Sequence, residues 1–210
     1  MQFKSVKELI EPLLKGGIEW QNISINGADE LPPGKKYSQT TILLFILSIL
    51  FLFLIPNGLS SDLIGYVIAA FSISVSLFMS LLVSIFDKFE NTQFDTHNKI
   101  KDEIDRLKQK KNFFKKFISV TSYLVILSIV ILILCGAFFV IPGLDKKISV
   151  HNLTYHFHEI DFKLTFKNIG ILVYRFILFF MLLNYLLLTA FITASAYDYY
   201  ISEINNKKIE

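Results

Sequence analysis

The stretch that decides the fold is GYVIAAFSISVSLFMSLLVSIF, residues 65–86. It contains no charged side chain, and an α-helix of roughly 20 such residues crosses the hydrocarbon of a bilayer. Successive residues of an α-helix are about 100° apart, so the small residues of this stretch gather on one side. We call that side the serine face, and its members are Gly65, Ala69, Ser72, Ser76, Ser80 and Ser84.

The serine face has two interpretations. In lipid the hydrophobic effect does not drive helices together, so small residues that allow close backbone approach are the usual means of helix packing. Alternatively, several copies of the chain place these hydroxyl groups around a water-filled passage, where they stand in for water. Neither interpretation needs an enzyme, and no catalytic or phosphate-binding motif occurs in the sequence. We therefore expect no enzymatic activity and no cofactor.

The remaining sequence repeats the apolar pattern. Hydrophobic residues make up 53% of the 210 residues and charged residues only 19%, which is typical of a polytopic membrane protein. The predicted fold is an all-α membrane protein with four transmembrane helices, a helical extension and a small β-hairpin-like insert. Its segments are an N-terminal segment 1–39, a transmembrane hairpin with spans 40–55 and 63–86, a basic helix 87–117, a third span 118–141, a β-rich loop 142–168, a fourth span 169–196 and a tail 197–210.

The distribution of basic residues predicts the orientation. Residues 88–116 contain nine Lys and Arg residues, whereas 56–62 contain none and 143–168 contain four. Because basic loops stay on the cytoplasmic side, we expect the basic helix and both termini in the cytoplasm. The abundance of Ile, Lys, Asn and Phe favours a bacterial chain, so the expected location is the inner membrane. No apolar run lies at the N-terminus, so a cleaved signal peptide is not expected.

The N-terminal segment predicts one amphipathic helix. Ser5 and Glu8 form a capping-box pattern, and apolar residues then follow at helical spacing as far as Gly16 and Gly17, where the helix is expected to stop. The apolar face can lie on lipid, pack on the chain's own helices or bind a partner. Beyond the glycines, the residues 18–25 are compatible with a short strand pair.

The basic helix carries the candidate partner surface. Apolar residues over 100–118 follow a heptad-like spacing, so the helix is expected to run uninterrupted into the third span. Its lysines either anchor the chain against anionic lipid head groups or bind a soluble protein. Direct binding of nucleic acid is not expected, because the segment shows no aromatic-interleaved basic platform and no recognised nucleic-acid motif. The candidate partner-binding residues are Arg106, Lys108, Lys110 and Lys111.

The outer loop alternates apolar and polar residues from Ile148 to Phe166, which predicts two or three short strands. Within it, His156 and His158 lie on one side of a predicted strand, a spacing that can bind a transition metal. The commoner explanation is the polar face of an exposed hairpin, so we expect no resident metal.

The fourth span contains one charged residue and one amide. Arg175 is close enough to the predicted outer end for its charge to reach the head groups. Asn184 lies near the middle, where an amide needs a partner. We expect Asn184 to hydrogen-bond to Ser76 or Ser80, or to Asn184 of a second copy.

The layout resembles the membrane subunit of the Kiwa anti-phage defence system, which has a chain of this size, four spans, cytoplasmic ends, a basic helical middle segment and a small outer domain. It is more loosely similar to small membrane effectors of bacterial defence operons. The first resemblance implies a homo-oligomeric membrane sensor that anchors a soluble effector protein on its cytoplasmic side. The alternatives are a pore-forming or depolarising defence effector, and a subunit of a transporter or envelope complex. The resemblance lies in the layout, so it assigns no functional residue.

Overall fold

The computed structural model describes residues 6–21, 39–55, 58–92, 101–144 and 162–205. The described residues form helices with a few turn residues at helix ends, and none of the described residues forms a strand. The helices are α1 (Val6–Gln21), α2 (Gln39–Leu54), α3 (Ser61–Glu90), α4 (Lys101–Val140) and α5 (Phe162–Asn205).

Three of these helices mark the chain as a membrane protein. Helix α3, helix α4 and the section Asn168–Ile201 of α5 are each long and apolar enough to cross a bilayer, and α2 is a shorter apolar helix. Helix α4 has 40 residues, so at a rise of about 1.5 Å per residue it is about 60 Å long, twice the roughly 30 Å of hydrocarbon. The predicted uninterrupted helix from the basic segment into the third span is confirmed over these residues.

The predicted stop of the first helix at Gly16 and Gly17 is wrong, as is the strand predicted to follow. Helix α1 continues through both glycines, and through Pro12 before them, to Gln21. Each glycine costs about 1 kcal/mol in a helix interior, but the missing side chain of Gly17 gives room for α4. A Cβ atom built on Gly17 would lie 2.4 Å from the Cβ of Tyr123. Residues 22–38, with the rest of the predicted strand pair, lie outside the described part of the chain.

The last strand predicted in the outer loop is also wrong, because Phe162 to Phe166 form the first turns of α5. Extending an existing helix adds one hydrogen bond for each residue fixed, whereas a new element must first be nucleated. Residues 162–166 adjoin the long apolar part of α5, so they extend that helix although their apolar and polar residues alternate as in a strand. The rest of the predicted insert, 145–161, lies outside the described residues.

The chain divides into two compact units. Unit 1 comprises Met1–Lys35, Val75–Ile126 and Leu187–Glu210, and unit 2 comprises Lys36–Ser74 and Leu127–Leu186. In unit 2, α5 packs on α2 and α3 through ring contacts with centroid distances of 4.5 to 5.8 Å. These contacts are Phe45 with Phe176, Phe51 with Phe179 and Phe71 with Tyr185.

The Arg175 side chain lies against the turn between α2 and α3, and the reach of its charge to the head groups stays a prediction. Its side chain is only 5% exposed. The guanidinium lies against Gly58, in the turn between α2 and α3, so that a Cβ atom on Gly58 would lie 2.6 Å from the Arg175 Nε. Gly58 has φ of 69°, a conformation in which other residues are strained. Arg175 therefore supports the turn of unit 2.

Replacing Gly58 by alanine should destabilise the protein by about 2 kcal/mol or more, because the new methyl group strains the backbone and displaces the Arg175 side chain. Gly170→Ala is the matched control: Gly170 lies in α5 with open space around its Cα, so alanine should gain about 0.5 to 1 kcal/mol in helix propensity. Thermal unfolding in detergent, followed by circular dichroism, measures both. Equal shifts for the two variants would contradict the described turn.

The close contact between α1 and α4 gives a second prediction. Gly17→Ala should force the two helices apart and cost about 1–3 kcal/mol, as overpacking usually does. In contrast, a Cβ atom on Gly16 makes only an ordinary contact, 3.7 Å from the Ser119 Oγ, so Gly16→Ala is the control. Trp20 is the single tryptophan of the chain and lies in α1, so its fluorescence reports the separation. We expect a shift to longer wavelength in Gly17→Ala alone, and the same spectrum in both variants would argue against the contact.

Candidate functional site

The structure leaves the whole serine face exposed. Its six residues are all exposed on α3, whereas the buried residues Ile64, Phe71 and Ile85 lie on the opposite side of the helix. The face is therefore not used for packing by the described helices of a single chain. Asn184 is partly buried on α5, and its hydrogen bond to Ser76 or Ser80, or to a second copy, stays a prediction.

Hydroxyl groups on α3 are satisfied by the helix itself. The Ser72 Oγ donates to the carbonyl oxygen of Ile68 at 2.8 Å, and the Ser74 Oγ donates to that of Ala70 at 2.9 Å. Such bonds to the preceding turn are the usual way in which serine is accommodated in a membrane helix. Ser72, a member of the serine face, can thus lie against lipid or against another helix without leaving its donor unpaired.

The candidate partner residues form two pairs on different sides of α4. Arg106 and Lys110 are four residues apart, and Lys108 and Lys111 are three apart, so each pair shares a side of the helix. Lys110 is partly buried, and the other three residues are exposed. All four precede the apolar section of α4, so they present positive charge on a rod outside that section.

A cluster that the sequence did not predict joins three helices of unit 1. Phe113 and Phe114 of α4 are each 1% exposed. Phe113 stacks on Tyr199 of α5 with centroids 3.9 Å apart and planes 8° apart, and Phe114 meets Phe89 of α3 edge to face at 5.4 Å. We call this the aromatic cluster, and it comprises Ile85, Phe89, Phe113, Phe114, Phe117 and Tyr199.

The tail predicted to begin at 197 is helical as far as Asn205, and this brings Tyr199 into the aromatic cluster. Phe114 could have been predicted as a packing residue, because it belongs to the heptad-like spacing over 100–118. Nothing in the local sequence pattern identifies Tyr199 as the ring that stacks on Phe113.

Two lysines lie over aromatic rings in the same unit. The Lys88 Nζ is 5.5 Å from the centroid of Tyr200, and the Lys116 Nζ is 4.5 Å from that of Phe191. Both distances fall within the range of cation–π attraction. Lys116 is only 6% exposed, and burial lowers its pKa from the ordinary lysine value. Lys116 is thus a buried cation next to the apolar section of α4.

The candidate metal ligands His156 and His158 lie outside the described residues. Within the described ranges, no group of three or more His, Cys, Asp or Glu residues is arranged to hold a metal ion.

Comparison of the chain with protein families, with curated proteins and with solved structures finds no match. The resemblance in layout to the Kiwa membrane subunit therefore stays a prediction. The basis for a function is the set of features described above: the exposed serine face, the two basic pairs, the aromatic cluster and the buried Lys116.

Proposed function

We propose that this chain is an integral membrane scaffold that self-associates in the bilayer and holds a soluble effector protein at the cytoplasmic face. The observation that carries the proposal is the unbroken helix α4, which joins a section with exposed basic side chains to an apolar section of membrane-spanning length. All backbone hydrogen bonds of such a helix are internal, so it connects the two sections rigidly.

In this proposal α2, α3 and the apolar sections of α4 and α5 are four spans in a bacterial inner membrane. Helix α2 has 16 residues and so measures about 24 Å, a few ångströms short of the hydrocarbon, a mismatch that local thinning of the bilayer accommodates at modest cost. The nine basic residues of 88–116, against four in 143–168, favour a cytoplasmic position for the first part of α4 and for both termini.

The basic rod suits an acidic partner. Residues 101–117 of α4 would extend about 25 Å beyond the hydrocarbon, and the aromatic cluster would fix this rod to α3 and α5. Exposed cations attract an acidic surface over about a Debye length, which is about 8 Å at physiological salt, and so mainly set the rate and orientation of docking. The resemblance in layout to the Kiwa membrane subunit suggests that the partner is the effector of an anti-phage defence complex, with the membrane part as the sensor.

The exposed serine face favours self-association. Small residues let two copies of α3 approach closely, which increases van der Waals contact in a solvent where the hydrophobic effect contributes nothing. The same face supports a second candidate function, a depolarising pore lined by hydroxyl groups. The two functions differ in what happens when the chain is expressed alone: a scaffold leaves the membrane potential intact, and a pore collapses it.

Charge reversal at Lys108, Lys110 and Lys111, each changed to Glu, should abolish co-purification of the soluble partner, because the basic rod would repel an acidic surface. The bait is the full chain, co-expressed with the products of adjoining genes. The control triple Lys146→Glu, Lys147→Glu and Lys163→Glu changes net charge equally on the proposed outer side and should retain the partner. Retention of the partner by the first triple, or labelling of 108–111 from outside the cell, would rule out this partner surface.

Substituting Ser76 and Ser80 together by leucine should lower self-association at least severalfold, because two bulky side chains prevent close approach of the helices. Exchanging Leu77 and Leu81 for isoleucine changes the adjoining exposed side of α3 at the same spacing and is the matched control. Cross-linking in membranes, followed by light scattering of the purified protein, measures the oligomer. A wild-type monomer, or oligomers of equal size in both variants, would contradict self-association through the serine face. Loss of the membrane potential on expression of the wild type alone would favour the pore.

A further inference from the structure

Two polar side chains share one side of α4 just before its apolar section. Asn112 and Lys116 are four residues apart, so their side chains are neighbours on the helix surface. The Lys116 side chain is 6% exposed. The Asn112 Nδ2 is buried and has no hydrogen-bond partner among the described residues. Buried donors in native structures are almost always paired, so an orphan of this kind requires an explanation.

The chemistry of this pair is that of a site for an anion. An amide Nδ2 and an ammonium group are both donors, and the ammonium group carries a positive charge in a setting that excludes water. Phe191 faces the Lys116 Nζ at 4.5 Å, and a ring in that position favours the charged form of lysine. Burial lowers the Lys116 pKa, and an anionic acceptor bound beside it would oppose this effect. A group with several negative oxygens offers an acceptor to each of the two donors.

The position of the pair indicates which anion is available. Lys116 precedes the apolar run 118–141 by two residues, and the aromatic cluster occupies the same part of α4. Aromatic and basic residues at the end of an apolar run are typical of the head-group level of a bilayer. The exposed Lys111 and Lys115 add positive potential there, which concentrates anionic lipids. At that level the phosphate of a phospholipid is the most abundant anion.

We propose that Lys116 and Asn112 bind the phosphate of an anionic phospholipid at the head-group level. The ammonium group pairs with one phosphate oxygen while it keeps its contact with Phe191, and the Asn112 Nδ2 donates to a second oxygen. Such a site goes beyond the scaffold function, because it needs neither a soluble partner nor a second copy of the chain. It makes a lipid part of the folded unit 1.

The test uses the full chain purified in detergent and mixed with phosphatidylglycerol, phosphatidylcholine or inorganic phosphate. Native mass spectrometry measures the bound lipid. We expect retention of phosphatidylglycerol, reduced about tenfold or more in Lys116→Gln, which is the size expected for one charge-assisted hydrogen bond. Lys115→Gln is the matched control, since it removes the same charge from the adjacent exposed position and should change retention by about twofold at most.

Asn112→Leu decides the matter even if Lys116→Gln fails to fold. Because it removes the orphan donor, the variant should unfold at a higher temperature than the wild type without lipid, and it should nevertheless bind phosphatidylglycerol severalfold more weakly. A purely structural asparagine would not give opposite changes in stability and lipid binding. The proposal would be overturned by equal retention of phosphatidylglycerol in Lys116→Gln and Lys115→Gln, or by unchanged retention in Asn112→Leu. It would also be overturned if inorganic phosphate, but not phospholipid, raised the unfolding temperature of the wild type.

Discussion

The stack of Phe113 on Tyr199, with ring centroids 3.9 Å apart, joins the two longest helices where each leaves its apolar section. Within hydrocarbon, burial of apolar side chains against each other gains little over contact with lipid. Where water begins, full burial of a ring is worth about 1.5–3 kcal/mol. In the proposed membrane arrangement the aromatic cluster would lie at the water boundary, where apolar contacts hold helices together most strongly. The basic section of α4 depends on it, because an isolated helix of that length has marginal stability in water.

Polar groups inside the apolar sections follow a different constraint, since they have no water to bond. The structure satisfies several of them through backbone carbonyls: Ser48 bonds to Leu44, Ser72 to Ile68, and the Tyr174 hydroxyl to Leu134. Because Ser72 is already satisfied, its hydroxyl contributes little to the attraction between two copies of α3. In the proposed oligomer, attraction through the serine face would therefore come from close backbone approach. A water-lined pore, in contrast, would require serine hydroxyls to turn from the helix to water.

The apolar helices could be predicted from sequence because hydropathy adds up over roughly 20 residues, and α2 begins and ends within one residue of the predicted span. Gly16 and Gly17 were misjudged because their effect depends on Tyr123, a residue distant in sequence that only the fold brings close. Phe113 and Tyr199 meet for the same reason. Alternation over 162–166 was misleading because a short period-two pattern is weaker than the continuity of a long helix. Local patterns therefore gave the elements but not their contacts.

Arg175 and Lys116 show how two buried cations can have different roles. Each is at most 6% exposed, and burying a charge beside lipid is costly unless its neighbours compensate. Arg175 presents a planar fork of donors, which suits a fixed turn of backbone, and its guanidinium occupies the space beside Gly58 that a side chain would fill. Lys116 is a compact charge over the Phe191 ring, next to an amide donor that lacks a partner in the described structure. Arg175 thus lies against a turn of its own unit, whereas Lys116 is close in sequence to a buried donor that the proposed lipid site would use.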